Sequence, residues 1–322
     1  MSEPTLEVRD LQTAFFTREG VVKAVDGVSF ELQRGEILGL VGESGSGKSV
    51  TGFSLLGLVD SPGRIVQGTV VLEGQELTAM APEQLRRVRG RRISMVFQDP
   101  MMTLNPVLTI DKQMWLPLRA HQRISRRAAR ARATELLTRV GIPDARARLG
   151  AYPHEFSGGM RQRVAIAIAL LHEPAVIIAD EPTTALDVSI QAQILHEMRQ
   201  LARDSGTALI WISHDLATVS SLADRLLVMY AGKVVETGPV AAVLRDPRHP
   251  YTHGLIRSLP ASARPGEDLY QIPGTTPSLL DLPPGCPFQP RCARADEVCT
   301  GDPPVTGSDE RGWRCHHPVG SP

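Results

Sequence analysis

One glycine-rich stretch decides the fold, Gly42-Glu43-Ser44-Gly45-Ser46-Gly47-Lys48-Ser49. It matches the phosphate-binding pattern G-x-x-x-x-G-K-[ST] at every fixed position. The apolar run 36–41 before it predicts a buried strand, and residues 50–57 after it predict a helix. In this setting the loop amides and Lys48 contact phosphate oxygens, and Ser49 offers its hydroxyl to Mg²⁺. The stretch therefore predicts a nucleoside-triphosphate site between a strand and a helix.

The composition is that of a globular protein without an excess of either charge. The 322 residues are enough for one large domain or two smaller ones, and Lys+Arg and Asp+Glu are equal at 35 each. This balance does not favour nucleic acid as a partner, because nucleic-acid binders usually carry a basic excess. The N-terminus is polar and acidic, and the apolar runs fall short of the roughly 18 residues of a membrane span. We expect neither a signal peptide nor a membrane span.

An acidic pair follows a second predicted buried strand. Residues 175–179 form a continuous apolar run, which is typical of a strand covered on both faces, and Asp180 and Glu181 come directly after it. A phosphate-loop enzyme places its Mg²⁺-binding aspartate at such a strand end. The neighbouring Glu181 is suited to orient or deprotonate a water molecule.

Two further polar residues end predicted strands. Gln98 follows the strand 93–97, and His214 follows the strand 207–213. Ligands of open α/β sheets bind outside the carboxyl ends of the strands, so we expect His214 near the phosphates. At the same edge Gln98 could reach Mg²⁺ or the attacking water.

Two glycines follow a serine before another predicted helix, in the sequence Ser157-Gly158-Gly159. Ser157 is a favourable N-cap for the apolar helix 164–171. Glycine destabilises a helix, so two glycines in the first turn make sense where a ligand approaches the backbone. Because the N-terminal end of a helix attracts anions, a phosphate group is the expected ligand.

Phe15 and Phe16 stand near the end of the first predicted strand. An aromatic ring at this point could stack on an adenine ring, or it could pack in the core. The sequence leaves both interpretations open and does not decide between the two rings. We take Phe15 as the candidate for the adenine contact.

The order of these motifs resembles that of an ABC-transporter ATP-binding cassette. The resemblance covers about residues 5–240. Gly42–Ser49 is similar to the Walker A motif, Gln98 to the Q-loop and Ser157–Gln162 to the signature. Asp180-Glu181 is similar to the Walker B motif, Ala185-Leu186-Asp187 to the D-loop and His214 to the H-loop. Other segments resemble the ATPase subunits of oligopeptide and dipeptide importers, namely Phe97–Pro106, Phe156–Arg163, Asp187–Gln193, His249–Thr252 and Pro283–Cys292.

The resemblance implies the fold and the domain organisation. It implies an α/β fold of the P-loop NTPase type, with a mixed core sheet, an antiparallel β subdomain and a helical subdomain at about residues 100–172. The composition shifts to proline, glycine and polar residues near residue 260. We therefore expect the cassette over residues 1–259 and a small Cys- and Pro-rich extension over residues 260–322.

The resemblance also implies a mechanism that uses ATP and Mg²⁺. Two cassettes enclose two ATP molecules, so that Ser157, Gly158 and Gly159 contact the ATP bound to the partner subunit's loop. Ser49, Gln98 and Asp180 are the implied Mg²⁺ ligands. The implied catalytic residues are Glu181, which activates water, together with His214, Gln98 and Lys48.

The implied function is that of the energy-coupling ATPase of a peptide importer at the cytoplasmic face of the cell membrane. The implied partners are a sister ATPase in a heterodimer, two transmembrane permease subunits and an extracytoplasmic substrate-binding protein, and not nucleic acid. A homodimer stays open, as does nickel, glutathione or another small solute as cargo. A soluble ABC ATPase of DNA repair or translation is a further alternative, although such proteins usually carry two cassettes or a long coiled-coil insertion. The intact Lys48, Asp180-Glu181 and His214 argue against a regulatory module with a vestigial ATPase.

All four cysteines lie in the extension, with the spacing C-x5-C-x6-C-x15-C: Cys286, Cys292, Cys299 and Cys315. Clustered thiols in a Pro-rich segment without an apolar core predict a metal site that holds the segment together. A zinc ion and an iron–sulfur cluster both accept four thiolates, and free or disulfide-bonded cysteines stay a third alternative. Similar tails in the peptide-importer family are associated with a [4Fe–4S] cluster, which the resemblance therefore favours over zinc.

Overall fold

The computed structural model describes residues 3–183, 186–262, 266, 268–308 and 310–320, apart from the side chains of Met102 and Leu201. The strands are β1 (Leu6–Phe16), β2 (Val21–Leu32), β3 (Ile37–Val41), β4 (Gly63–Leu72), β5 (Gln75–Glu76), β6 (Ile93–Val96), β7 (Val176–Asp180), β8 (Ala208–Ser213), β9 (Arg225–Tyr230), β10 (Lys233–Pro239), β11 (Val305–Gly307) and β12 (Gly312–Arg314).

The helices lie between the strands, and the longest run of them is between β6 and β7. They are α1 (Lys48–Leu55), α2 (Pro82–Val88), α3 (Pro100–Thr103), α4 (Ile110–His121), α5 (Arg126–Arg139), α6 (Ala145–Arg148), α7 (Gly158–Ala169), α8 (Val188–Ser205), α9 (Leu216–Leu222), α10 (Val240–Arg245) and α11 (Pro250–Arg257). Among the described residues, no helix combines the length and the apolar character that crossing a membrane requires.

The chain divides into two compact units. Unit 1 comprises Met1–Leu32, Ile37–Thr78 and Trp211–Pro322, and unit 2 comprises Gln33–Glu36 and Ala79–Ile210. The phosphate-binding loop and residues 260–322 both belong to unit 1. The division of the chain into a cassette and an extension at residue 260 stays a prediction.

Unit 1 contains an antiparallel sheet in the order β2-β1-β4-β5. In the first pairing Leu6 lies opposite Leu32, and Phe16 lies opposite Val21. The end of β2 is buried at every second residue, at Val28, Phe30 and Leu32, as its alternating sequence predicts. The antiparallel β subdomain expected from the sequence is confirmed.

The second group of strands in unit 1 carries the phosphate-binding loop. Strand β3 is buried at all five positions and pairs in parallel with β9, while β9 and β10 form an antiparallel hairpin. Strand β10 then pairs with β12, and β12 with β11, both antiparallel. The sheet of the extension is thus a continuation of the strands beside β3.

Unit 2 combines the parallel pair β6 and β7 with the helical segment. All five residues of β7 are buried, as its continuous apolar run predicts. Leu136 and Leu137 of α5 and the following residue Val140 are all buried. The guanidinium of Arg163 in α7 donates to the carbonyl oxygen of Val140 at 3.0 Å and pairs with Glu197 of α8 at 3.1 Å, which ties three helices together.

A buried carboxylate fixes the extension to β10. Glu236 has no exposed surface, and its oxygens accept the backbone N–H groups of Arg248 and His249, both at 2.8 Å. The guanidinium of Arg311 lies 2.7 Å from the same carboxylate. Burying a carboxylate is favourable only when it is paired and hydrogen-bonded, so Arg311 supplies the charge that makes this burial possible.

We therefore expect the substitution Arg311→Met to lower the free energy of unfolding by about 3 kcal/mol, because it leaves the Glu236 carboxylate without its cation. Chemical denaturation followed by circular dichroism measures the change. The matched control is Arg9→Met, which removes an exposed pair with Glu7 and should change the value by less than about 0.5 kcal/mol. Equal losses in the two variants would contradict this interpretation of Glu236.

Candidate functional site

The phosphate-binding loop follows β3 and ends where α1 begins at Lys48. Its backbone packs closely against neighbouring strands. A Cβ atom on Gly42 would lie 2.3 Å from the carbonyl oxygen of Met229, and one on Gly47 would lie 2.2 Å from that of Ala24. Gly47 also has a φ of +100°, which side chains rarely allow. Only glycine fits at these two positions, as the pattern requires.

Lys48 lies over the loop and is almost completely buried. Its Nζ donates to the carbonyl oxygens of Gly42 at 2.8 Å and Glu43 at 2.9 Å, and Ser46 Oγ is 3.4 Å away. The positive charge is therefore held at the centre of the loop by backbone oxygens. Ser49 is half-buried in the first turn of α1.

Glu43 is joined to the C-terminal extension. The guanidinium of Arg291 contacts both of its carboxylate oxygens, with Nη1–Oε2 at 2.7 Å and Nη2–Oε1 at 3.1 Å. Thr276 Oγ1 donates to Oε2 at 2.6 Å. Burial alone would raise the pKa of Glu43, but these hydrogen bonds and the charge of Arg291 hold it below its ordinary value of 4.5. Glu43 was predicted from the sequence as part of the nucleotide-binding loop, but its contact with Arg291 was not.

Unit 2 brings two of the predicted catalytic residues together. The Gln98 side-chain amide after β6 donates from Nε2 to Glu181 Oε2 at 3.2 Å. Asp180 is buried at the end of β7, and Glu181 follows with a φ of +44°. This left-handed conformation is uncommon outside glycine and is found where a site requires one orientation of the backbone.

The Ser157-Gly158-Gly159 segment also lies in unit 2, at the start of α7. Ser157 Oγ accepts the N–H of Met160 at 3.3 Å, which confirms the predicted N-cap. Ser157 and Gly158 are exposed, whereas Gly159 is buried. A Cβ atom on Gly159 would lie 2.8 Å from Ile190 Cγ2, so this glycine is required by packing as well. The predicted approach of a ligand applies to the two exposed residues.

The other predicted residues of the nucleotide site lie in unit 1. Phe15 is half-buried, with its ring edge 2.5 Å from where a Cβ atom on Gly63 would lie. Phe16 is 41% exposed and lies under the Arg64 guanidinium at 4.4 Å. His214 follows β8 and is exposed. The role of Phe15 at an adenine ring stays a prediction, and Ala185 of the predicted D-loop lies outside the described residues.

The four cysteines of the extension line one small cavity, together with His249, Phe288 and other residues. All four are free thiols. Burial raises the pKa of Cys286, Cys292 and Cys315, and it raises that of Cys315 to about 11. Among the described residues, the set of three candidate metal donors with ligand atoms within 4.8 Å of one another is Asp296, Cys299 and His317. His317 follows Cys315 by two positions and Asp296 precedes Cys299 by three, and neither was predicted as a ligand from the sequence.

Comparisons with known proteins found one family model for the N-terminal part of the chain and another for the C-terminal part. The family model "ABC transporter" matches residues 25–184, and the model "Oligopeptide/dipeptide transporter, C-terminal region" matches residues 235–299. The oligopeptide transport ATP-binding protein OppD of Escherichia coli is 47% identical over 304 residues, which cover 94% of this chain and 90% of that protein. The chain belongs to the ABC transporter family. A putative peptide import ATP-binding protein of Brucella ovis is 50% identical over 327 residues, with 97% of each chain covered.

Solved structures confirm the cassette fold. The dimeric post-hydrolysis state of the ATP-binding cassette MJ0796, bound to ADP and Pi, matches with a TM-score of 0.66 and 27% identity, covering 73% of this chain and 98% of that one. The cbiO1 subunit from Clostridium perfringens matches with a TM-score of 0.65 and 26% identity over 76% of this chain and 92% of its own. This member of the ABC transporter family is an ATPase, and its family membership implies dimerisation and a membrane permease as partner.

The ion pair between Glu43 and Arg291 should make the free energy of unfolding depend on pH. Because the pKa of Glu43 is lower in the folded protein than in the unfolded chain, the carboxylate stabilises the fold above pH 4.5, and this contribution is lost as the pH falls through the lowered pKa. The wild type should therefore exceed Glu43→Gln in unfolding free energy at pH 7, and the difference should shrink below about pH 4.5. Denaturation at a series of pH values measures it; a difference that grows towards low pH would contradict the assignment.

Proposed function

We propose that this ATPase is the energy-coupling subunit of a peptide importer and acts at the cytoplasmic face of the cell membrane. The observation that carries the proposal is the pairing of a cassette with a C-terminal region of the oligopeptide/dipeptide type in one chain. Relatives named for peptide import or oligopeptide transport align over nearly the whole length, and the model of the C-terminal region reaches into the cysteine-containing tail as far as Cys299. A general cassette without transport function would not require that tail.

The catalytic roles follow from the chemistry of the side chains. Lys48 neutralises charge on the phosphates, and Glu181, held by the amide of Gln98, orients and deprotonates the attacking water. His214 contacts the terminal phosphate. Mg²⁺, for which Ser49, Gln98 and Asp180 offer oxygen ligands, would supply further neutralisation of the phosphate oxygens.

The exposed start of α7 supports a two-chain arrangement. Ser157 and Gly158 are accessible, and they offer backbone N–H groups at a helix N-terminus, where phosphate binds well. We assign them, with Gly159, to the ATP bound by the partner cassette. The partner is a sister ATPase in a heterodimer. Two transmembrane permease subunits and an extracytoplasmic substrate-binding protein complete the transporter and select the cargo.

We assign a metal centre to the cysteine cavity, and the residues present fit it. Four thiols converge on the cavity, and the buried Nε2 of His249, which also lines it, has no hydrogen-bond partner within the described part of the chain. His249 Nδ1 accepts the N–H of Tyr251 at 3.0 Å, so Nε2 carries the proton in the neutral ring and needs an acceptor. An anionic sulfur of a metal centre would satisfy this donor.

The arrangement of the donors bears on the kind of metal. Sulfurs on a single zinc ion lie about 3.8 Å apart, given Zn–S distances of about 2.3 Å. Four cysteines line the one cavity, and four thiolates are the usual ligand set of a [4Fe–4S] cluster. The compact set of Asp296, Cys299 and His317 favours zinc instead, since zinc accepts such mixed ligands.

Metal analysis of the protein purified without oxygen distinguishes these alternatives. We expect iron and acid-labile sulfide in equal amounts, about four of each per chain, with visible absorption from thiolate-to-iron charge transfer. Cys299→Ser should remove the centre, and Ala293→Ser, which introduces the same side chain at an exposed neighbour of Cys292, is the control that should retain it. Zinc without iron would establish the alternative, and absence of both metals would reject the site.

Affinity purification of the tagged chain from detergent-solubilised membranes tests the function. We expect two multi-span proteins and a second ATPase, identified by mass spectrometry, and ATP hydrolysis by the complex. Glu181→Gln should lower turnover at least about 100-fold while ATP still binds, because it removes the carboxylate that activates the attacking water. Glu135→Gln, which changes an exposed glutamate of α5, is the matched control and should keep full activity.

Two outcomes would contradict the proposal. Recovery of the chain only with nucleic acid or ribosomes would favour a soluble ABC ATPase. Near-normal hydrolysis by Glu181→Gln would show that another group activates the water. If the expected membrane complex is recovered, its binding protein can be screened with peptides, nickel and glutathione to identify the cargo.

A further inference from the structure

Arg291 of the extension is a buried arginine whose hydrogen-bonding groups point at the phosphate-binding loop. Its side chain is only 5% exposed. Nη1 and Nη2 contact the two carboxylate oxygens of Glu43 at 2.7 and 3.1 Å, and Nε donates to the carbonyl oxygen of Pro273 at 2.9 Å. A guanidinium that uses its planar fork in this way fixes the position and the orientation of its partner, not merely its charge.

The backbone of Glu43 is held as firmly as its side chain. Its N–H donates to Tyr251 Oη at 2.8 Å, and its carbonyl oxygen accepts Lys48 Nζ at 2.9 Å. One loop residue is thus tied to the extension by its carboxylate, to α11 by its N–H and to the catalytic lysine by its oxygen. A shift of Glu43 would move the Lys48 amine and the loop amides together.

The same contacts lead to the cysteine cavity. Arg291 directly precedes Cys292, and Phe288, one turn earlier, lines the cavity. The ring of Phe288 packs on Tyr251 and Tyr230, with centroid distances of 5.5 and 5.2 Å. The path from the cysteines to the loop therefore consists of packed aromatic rings and one charged pair, without a flexible linker.

We propose that Arg291 is a positioning residue for ATP binding, through which the extension holds the phosphate-binding loop in its binding conformation and transmits the state of the cysteine site to it. Ordering a loop before the ligand arrives strengthens binding, because the ligand does not have to supply the entropy of ordering. The link to the cysteine site rests on the proposed metal centre. The role of Arg291 itself rests only on the contacts with Glu43.

A double-mutant cycle on the full-length chain tests the role of Arg291. The variants are Arg291→Met, Glu43→Gln and the double variant, and calorimetry measures the Kd of Mg·ATP. We expect each single substitution to weaken binding about tenfold and the double variant to weaken it no further, because both remove the same contact. Arg291→Lys should recover part of the affinity, since it keeps the charge without the fork.

Two arginine controls separate positioning from general stability. Arg314→Met changes a half-buried arginine of β12 and should leave the Kd unchanged. Arg311→Met removes the cation of Glu236, so it should lower the thermal stability and still leave the Kd unchanged at temperatures where the protein is folded. An equal loss of affinity in Arg311→Met, or additive losses in the cycle, would overturn the proposal.

The link to the cysteine site has its own test. The Kd of Mg·ATP is compared between the metal-loaded chain and the chain stripped by a chelator. We expect removal of the metal to weaken binding about tenfold in the wild type and to have no further effect in Arg291→Met. Equal affinities of the loaded and stripped wild type would overturn the link. A protein purified without any metal would reject the metal centre and the link with it, and the cycle would still decide on Arg291.

Discussion

The close packing of the phosphate-binding loop against two backbone carbonyl groups is the constraint on which the nucleotide site depends. The carbonyl oxygens of Met229 and Ala24 occupy the space that side chains on Gly42 and Gly47 would need. With the loop pressed against β9 and β2 in this way, its amides and Lys48 have fixed positions. Charge stabilisation of phosphates depends on such preorganised groups, because they do not have to reorient when the ligand binds. Packing against these two strands therefore restricts where the loop backbone can lie.

Residues of the extension also contact the loop. Glu236 of β10 accepts the backbone N–H groups that precede α11, and Tyr251 of this helix accepts the N–H of Glu43 in the loop. Arg291 then reaches the Glu43 carboxylate. The phosphate-binding loop is therefore held in part by Tyr251 and Arg291, which follow the last cassette motif, His214, in the sequence. This gives a physical reason for the cassette and the extension to occur together.

Local patterns predicted the elements and many of the site residues. The buried strands β3 and β7 and the N-cap at Ser157 follow from hydrophobic runs and capping preferences, which act over a few residues. The motif residues at the strand ends are recognisable for the same reason. Long-range side-chain pairs are different. Glu43 and Arg291 are 248 positions apart, and nothing in either neighbourhood indicates the other.

The cysteine site also combines features that a local sequence pattern predicts with features that depend on the fold. Four clustered cysteines predict a metal centre from the sequence, but the Asp296 and His317 donors and the unpartnered His249 Nε2 of the described chain depend on how the extension folds. Which of the neighbouring rings Phe15 and Phe16 is the more exposed also depends on tertiary packing, which a single sequence does not reveal. The local elements could be predicted from the sequence, whereas the contacts that join distant segments could not.

The most direct test of the central claim is ATP hydrolysis by the complete transporter in lipid vesicles, measured with and without peptide and its binding protein outside. An importer ATPase should hydrolyse ATP faster when both are present, and labelled peptide should accumulate inside the compartment that holds the ATPase. If hydrolysis is indifferent to every peptide tested and no peptide crosses the membrane, while the complex remains active, peptide import is the wrong function for this chain.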